Sequence, residues 1–295
     1  MKDVENIQKT VTSRDGTPIA LEQSGSGPAV ILVGSALSDR SDTRRLAALL
    51  APRFTVINYD RRGRGASGDT APYAVEREVE DIEALIDAAG GSAFVFGSSS
   101  GAVLALEAAS RLPGKIRKQA LYEPPFIIDD SRPPLPQDFV EQVSELVSAG
   151  RRSAAVKLFM SKGMGIPTIG VAVMRFMPGW SKMAGMAHTL AYDLTIMGDT
   201  QAGRPLPTAR WSGAAAPTLV LTGEKSEGYF HEGARALAGL LRNGEHRILK
   251  GQHHGSVVTA PKTIAAELVD FFSAKGSAPG PVGYPRAADE ITTIE

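Results

Sequence analysis

The residues of this chain best suited to covalent chemistry are three consecutive serines between two glycines, Gly97-Ser98-Ser99-Ser100-Gly101. The central one completes Gly-x-Ser-x-Gly. A serine nucleophile needs its hydroxyl raised on a tight strand-to-helix turn, with small neighbours where strand and helix nearly touch. The backbone N–H of Ser100, at the N-terminus of the new helix, would then point at a negative charge developing on an attacked carbonyl oxygen. The central position, Ser99, fits the turn; Ser98 and Ser100 face sideways.

The flanking elements supply that turn. Ala93–Phe96 is a short apolar run of strand length, and the residues after Gly101 read as helix to about Ser110. The surrounding pattern alternates in the same way. Gln8–Ser13 and Pro18–Gln23 flank an Asp15-Gly16 turn. Ala29–Val33, Phe54–Tyr59, Gln119–Tyr122, Pro217–Thr222 and His246–Leu249 read as strands. Arg44–Leu50, Val75–Ala89, Glu232–Leu241 and Pro261–Phe272 read as helices. Continuous apolar strands alternating with helices imply a mostly parallel sheet covered on both faces, an α/β architecture. Between Gln137 and Leu194 the apolar spacing is helical, with no strand, which predicts a helical insertion. The expected organisation is therefore residues 1–126 and 207–275 as two parts of one core, 127–206 as an inserted helical cap, and 276–295 as a loose Gly/Pro/Ala-rich tail.

Composition narrows the function. With 32 basic and 32 acidic residues the formal charge is zero, and no block of like charge suggests nucleic acid as a partner. There are no cysteines, which removes disulfides, thiolate nucleophiles and Cys-ligated metal. The polar N-terminus lacks a signal core and the apolar runs are too short to span a bilayer, so a cytoplasmic protein without membrane association is expected. No dinucleotide or Walker-type glycine pattern occurs and the histidines are scattered, so no cofactor or metal is implied. The expected partner is a small-molecule substrate.

With the Gly-x-Ser-x-Gly turn, two further segments give the chain a resemblance to the α/β-hydrolase family over about residues 10–273. Asp60-Arg61-Arg62-Gly63-Arg64-Gly65-Ala66-Ser67 resembles the family's Asp-x-x-Gly-x-Gly-x-Ser segment; its three arginines read as a solvated loop. Leu249-Lys250-Gly251-Gln252-His253-His254 resembles the family's Leu-x-Gly-x-x-His, which implies His254 as the general base, with His253 as the alternative. An imidazole there would take the serine proton and later return it. Val33-Gly34-Ser35-Ala36-Leu37 stands where the family places its second oxyanion donor; the resemblance implies the N–H of Ala36, with Ser35 next. His188, His231 and His246 have no such support.

The chain departs from the family at the acid. Many members carry Asp a few residues after the strand equivalent to Pro217–Thr222; here Ser226 stands in its place, within Gly223-Glu224-Lys225-Ser226-Glu227. A similarity to relatives that place a Glu after the strand following the elbow helix implies Glu123 as the acid, with Glu224 as the alternative. The helical insertion is rich in Met and aromatic residues, which suits an adaptable apolar pocket. Phe159, Met174, Trp180, Met183 and Tyr192 are the candidate pocket residues, and Asp193 is a further polar candidate. The function implied is hydrolysis of an ester-like or other acyl bond of a small, largely apolar molecule through an acyl-enzyme on Ser99. A non-catalytic small-molecule binder, or a cofactor-free haloperoxidase or lyase on the same fold, is the alternative.

Overall fold

The structure, a computed structural model, describes residues 6–274. The tail expected from Gly276 onward lies outside the described residues.

The eight strands are β1 (Ile7–Thr12), β2 (Pro18–Ser24), β3 (Ala29–Val33), β4 (Thr55–Tyr59), β5 (Ala93–Ser98), β6 (Ile116–Tyr122), β7 (Thr218–Gly223) and β8 (Gly244–Leu249). They form one sheet in the order β1-β2-β4-β3-β5-β6-β7-β8. β2 pairs antiparallel with β1 and β4, and every other neighbouring pair is parallel. All five residues of β3 are buried, because alternate side chains enter separate apolar layers. Ile31 and Val33 join Val95 and Leu121 on one face; Val30 and Leu32 join Phe94 and Phe96 on the other. Burying each such side chain stabilises by about 1.5–3 kcal/mol, which accounts for the run of five consecutive apolar residues.

Helices α1 (Arg40–Leu50), α2 (Val75–Ala88) and α3 (Ser100–Arg111) lie between the early strands. α1 starts four residues before the expected Arg44. Asp39 caps it by accepting from the Ser41 N–H at 2.8 Å, and Asp42 accepts from the Asp39 N–H at 3.1 Å. This is a capping box with Asp in the place usually taken by Glu or Gln. Five α-helices are inserted between β6 and β7: α4 (Phe139–Ser148), α5 (Arg152–Leu158), α6 (Thr168–Met174), α7 (Trp180–Gly185) and α8 (Leu190–Met197). α8 packs against α3. The chain closes with α9 (Gly228–Leu240), α10 (Ser256–Thr259) and α11 (Pro261–Ser273). α2, α3 and α9 cover one face of the sheet; α1 and α11 cover the other. No helix among the described residues is long and apolar enough to cross a membrane.

The segment after β4 corrects the solvated-loop expectation. Arg61, Arg62 and Arg64 are 2%, 0% and 1% exposed. A buried guanidinium is costly unless paired, and each of these is paired. Arg62 grips Asp81 of α2 at 2.7 and 2.8 Å and reaches Asp15 at 2.9 Å. Arg61 forks onto Glu78 of α2 with two bonds of 2.7 Å. Arg61 and Arg64 both reach Asp193 of α8 at 2.7 Å.

Candidate active site

Ser99 stands between β5 and α3 with φ 55° and ψ −124°, a conformation that non-glycine residues rarely adopt. The sheet and helix fix the turn from both sides. The Ser99 N–H donates to the Tyr122 carbonyl at 2.8 Å, and its own carbonyl accepts from Ala102 at 2.9 Å. The flanking glycines are steric requirements. A Cβ on Gly97 would sit 2.3 Å from the Gly101 carbonyl oxygen, and one on Gly101 would sit 2.4 Å from that of Gly34. Strand, helix and the loop after β3 therefore meet with no room for a methyl group.

Glu123 follows β6, also with a positive φ, 49°. Its side chain is fully buried. One carboxylate oxygen accepts from His254 Nδ1 at 2.7 Å. The other accepts from the Gly223 N–H at 2.6 Å and the Ser226 hydroxyl at 2.5 Å. A carboxylate on Nδ1 favours the tautomer protonated there and leaves Nε2 with a free lone pair. The imidazole stacks on Phe230, with centroids 4.6 Å apart. β6 also sets the backbone of the histidine loop, since the Tyr122 hydroxyl donates to the His253 carbonyl at 2.7 Å. β7 comes equally close: a Cβ on Gly223 would lie 2.5 Å from the Gln252 carbonyl carbon.

Ser99 and His254 line the same cavity, of about 560 Å³. Ser35, Ala36, Ser98 and Ser100 share its wall. The Ser100 hydroxyl is committed elsewhere, to Asp193 at 2.7 Å. The alternatives for base and acid lie outside this arrangement. His253 is exposed, with Nδ1 accepting from Gly255 at 3.1 Å. Glu224 accepts from the Gly251 N–H at 2.8 Å and does not contact His254. Glu224 and Gly251 thus brace the loop without touching the imidazole.

Of the expected pocket residues, Phe159 and Met183 line the cavity, beside Met160, Met164, Met197 and Tyr229. Met174, Trp180 and Tyr192 do not. Met174 packs against the core. Trp180 is buried and donates from its indole N–H to Ser153 at 3.2 Å. Tyr192 stacks on Tyr73 at 3.9 Å and donates to Asp69 at 2.9 Å. The charged groups of the wall are Asp42, Lys182 and Glu227. Lys182 is held between Asp39 and Asp42 at 2.9 and 2.8 Å. Burial disfavours its charge, but the two aspartates outweigh this and raise its pKa. Among the described residues no three His, Asp or Glu side chains cluster as metal ligands would.

Sequence reasoning missed the partners of the buried arginines. Asp193 is fully buried; desolvation works to raise its pKa, and Arg64 and Arg61 overcome this and hold it below the ordinary carboxylate value. The signal in the sequence was a run of three arginines between a strand and a turn, next to helices carrying unmatched acids. Phe230, the stacking partner of His254, carried no signal in the sequence beyond being apolar.

This fold, with an elbow serine and an imidazole–carboxylate pair at one end of the sheet, defines a class. Residues 29–267 match the model of the alpha/beta hydrolase family, and the chain belongs to that family. It is 52% identical to an alpha/beta hydrolase from Sphaerobacter thermophilus DSM 20745, with a TM-score of 0.83 over 90% of this chain and 100% of that one. It is 33% identical over 147 residues to the uncharacterized hydrolase YraK of Bacillus subtilis (strain 168), covering 48% of this chain and 54% of that protein. It is 28% identical over 128 residues to a zearalenone hydrolase of Cladophialophora bantiana, covering 41% and 48%. The chain thus spans about half the length of these two relatives.

Proposed function

We propose that this protein, a hydrolase of the α/β-hydrolase superfamily, cleaves an ester or related acyl bond of a small, neutral, largely apolar molecule through an acyl-enzyme on Ser99. The observation that carries the reading is the 2.7 Å contact of His254 Nδ1 with the buried Glu123, in a cavity whose wall also holds the strained Ser99.

Ser99 Oγ attacks the carbonyl carbon while its proton passes to His254 Nε2. The carbonyl π pair moves onto oxygen, where the backbone N–H groups of Ser100 and Ala36 receive it. Glu123 holds the ring in the productive tautomer and stabilises the imidazolium. Collapse of the tetrahedral intermediate expels the leaving oxygen, which takes the proton from His254. Water then gives a proton to His254 and attacks the acyl carbon, and a second collapse releases the acid and returns the proton to Ser99.

The cavity wall supports the substrate class. Met side chains adapt to varied apolar shapes. Lys182 is occupied by two aspartates, and Glu227 adds a further negative charge. A substrate carboxylate would meet no free cation among the described wall residues.

The test is a panel of p-nitrophenyl esters of increasing chain length, including one whose acyl chain ends in a carboxylate. The neutral esters turn over, the anionic one at least about tenfold less well, and Ser99→Ala abolishes both turnover and labelling by a fluorophosphonate. Absence of wild-type turnover and labelling would refute the acyl-enzyme reading. Turnover that survives in Ser99→Ala but not in His254→Ala would point instead to lyase-type chemistry.

A further inference from the structure

We propose that Asp193, on the inserted helix α8, is a positioning residue that orients both oxyanion donors of the Ser99 site. The inference rests on the acyl-transfer reading and adds to it: a carboxylate from the insertion sets the geometry of backbone groups on the core.

Two loops supply the donors, and the first is held by buried arginines. The Ser35 carbonyl accepts from Arg64 Nη1 at 2.6 Å. The Gly34 carbonyl accepts from Arg61 Nη1 at 3.3 Å. In a trans peptide the C=O and the following N–H point in opposite directions. Arg64 holds the carbonyl of the Ser35–Ala36 peptide, so it fixes the N–H of Ala36 pointing away from itself. Ser35 and Ala36 line the cavity on that side. The Ala36 and Leu37 N–H groups have no acceptor among the described residues, and Leu37 is held at φ 55°. A strained turn with uncommitted donors persists only when its surroundings over-determine it. Here the two guanidiniums do so.

Asp193 organises those guanidiniums. Its Oδ1 accepts from Arg61 Nη1 and from the Ser100 hydroxyl, both at 2.7 Å. Its Oδ2 accepts from Arg64 Nη2 at 2.7 Å. Ser100 carries the other oxyanion N–H, one of the four N–H groups that a helix leaves free at its start. One carboxylate thus restrains the Ala36 donor through Arg64 and the Ser100 donor through its own side chain. The cluster of Arg61, Arg64, Glu78 and Asp193 is buried and its formal charges cancel. The same fold holds a close comparison: the pair Arg62–Asp81 is equally buried but touches neither donor loop.

A purely stabilising role or a purely electrostatic one would leave different marks. If Asp193 serves only stability, its loss lowers the melting temperature and leaves the kinetics alone. If only net charge matters, Asp193→Asn leaves an extra positive charge near the site and strengthens oxyanion binding. Positioning predicts the reverse.

The experiment measures kcat and KM on the best neutral ester. It also measures inhibition by a trifluoromethyl ketone carrying the same acyl chain, which adds to the serine and forms an oxyanion, and by the corresponding methyl ketone as a ground-state control. In Asp193→Asn we expect kcat and trifluoromethyl ketone affinity to fall together by about 10- to 100-fold, because a misaimed donor should cost no more than one removed outright. KM and methyl ketone affinity stay within about twofold. Asp81→Asn loses stability with unchanged kinetics. Ser100→Ala and Arg64→Lys, each removing one arm of the restraint, show smaller losses of the same kind, and they carry the test if Asp193→Asn does not fold. Unchanged kcat in the folded variants, a change in KM alone, or tighter trifluoromethyl ketone binding overturns the inference. Those results on an active wild type would leave the acyl-transfer reading intact. An inactive wild type defeats both.

Discussion

Replacing Glu123 by Gln gives the sharpest test of the proposed acid, because the surroundings of this side chain dictate how an amide must sit. The carboxylate accepts three bonds: His254 Nδ1 at one oxygen, the Gly223 N–H and the Ser226 hydroxyl at the other. Gln offers one acceptor and one donor. With its oxygen toward Gly223, its NH2 faces His254 and requires an unprotonated Nδ1, which puts the proton on Nε2. That tautomer cannot take a proton from Ser99. With its oxygen toward His254, the NH2 is forced against the Gly223 N–H, a fixed buried donor; Ser226 can rotate, but the peptide cannot. A buried unsatisfied pair of this kind costs about 1–3 kcal/mol, a factor of roughly 5 to 150, so the productive tautomer drops to roughly a fifth or less.

Loss of the charge that stabilises the imidazolium adds to this. The combined effect should approach the ~10⁴-fold fall in kcat found when the acid of a serine triad is made an amide, about 5.5 kcal/mol in the barrier. The assay is initial-rate hydrolysis of a neutral p-nitrophenyl ester, with circular dichroism and melting temperature to establish folding. Glu224→Gln is the matched control and should stay within about twofold, since Glu224 only accepts from Gly251. A folded Glu123→Gln with activity within about tenfold of wild type, or a large loss in Glu224→Gln, would refute the reasoning.

Three further outcomes follow from the geometry. Gly101→Ala drives a methyl to 2.4 Å from the Gly34 carbonyl oxygen and 2.5 Å from that of Val33; it should destabilise by about 1–3 kcal/mol in denaturant melts and slow fluorophosphonate labelling, whereas wild-type values would mean the elbow yields. Met183→Trp fills part of the cavity and should lower kcat/KM at least about tenfold for long acyl chains while sparing the acetate, and an unchanged chain-length profile would place the acyl group elsewhere. The pKa of His246 is lowered from its ordinary value of 6.5, chiefly by burial and then by Arg235 and His231. The unfolded chain therefore takes up a proton that the folded chain resists, so this contribution to stability is full above the unfolded value and is lost as pH falls through it. The drop in melting temperature between about pH 7.5 and 5.5 should shrink in His246→Gln, and an equal drop would remove His246 from the account.

The centre of the sheet was legible because its strands announce themselves: short apolar runs between turns, such as Ala29–Val33 and Ala93–Phe96, leave few other readings. The elbow was legible for the same reason, being fixed by its place between such a run and a helix. What stayed hidden depended on partners distant in sequence. Arg61 meets Glu78 17 residues on and Asp193 132 residues on, and nothing local distinguishes that arginine from one in solvent. The pocket lining failed in a related way. α6 and α7 have seven and six residues, too few turns for a pattern to say which face meets the cavity. Met183 and Trp180 lie on the same short helix, yet only Met183 reaches the wall. Helix starts were blurred where the capping signal was unusual, as with Asp42 in the box before α1.

The proposed place of the acid, on β6 and not on the β7 loop, has a simple physical basis. The ends of β6 and β7 are paired in register, Tyr122 against Leu221, so their C-terminal residues stand side by side facing the histidine loop. A carboxylate can reach the same space from either strand. From β6 it must turn sharply, and Glu123 does so at a positive φ followed by Pro124-Pro125. It then needs donors to hold a buried charge, and the end of β7 supplies them: the Gly223 N–H, and Ser226 from the position at which the family resemblance leads one to expect an acid. On the proposed reading, Ser226 is the complement of the Glu123 carboxylate, to which its hydroxyl donates. An Asp there would set two carboxylates about one hydrogen bond apart and raise the pKa of one of them. Leu37, Ser99 and Glu123 are the non-glycine residues with positive φ among the described ones. They follow β3, β5 and β6, which are consecutive in the sheet. Strain of about 1–3 kcal/mol at each is concentrated at the C-terminal ends of these three strands, whose last residues are buried, an arrangement that sheet stability alone would not favour.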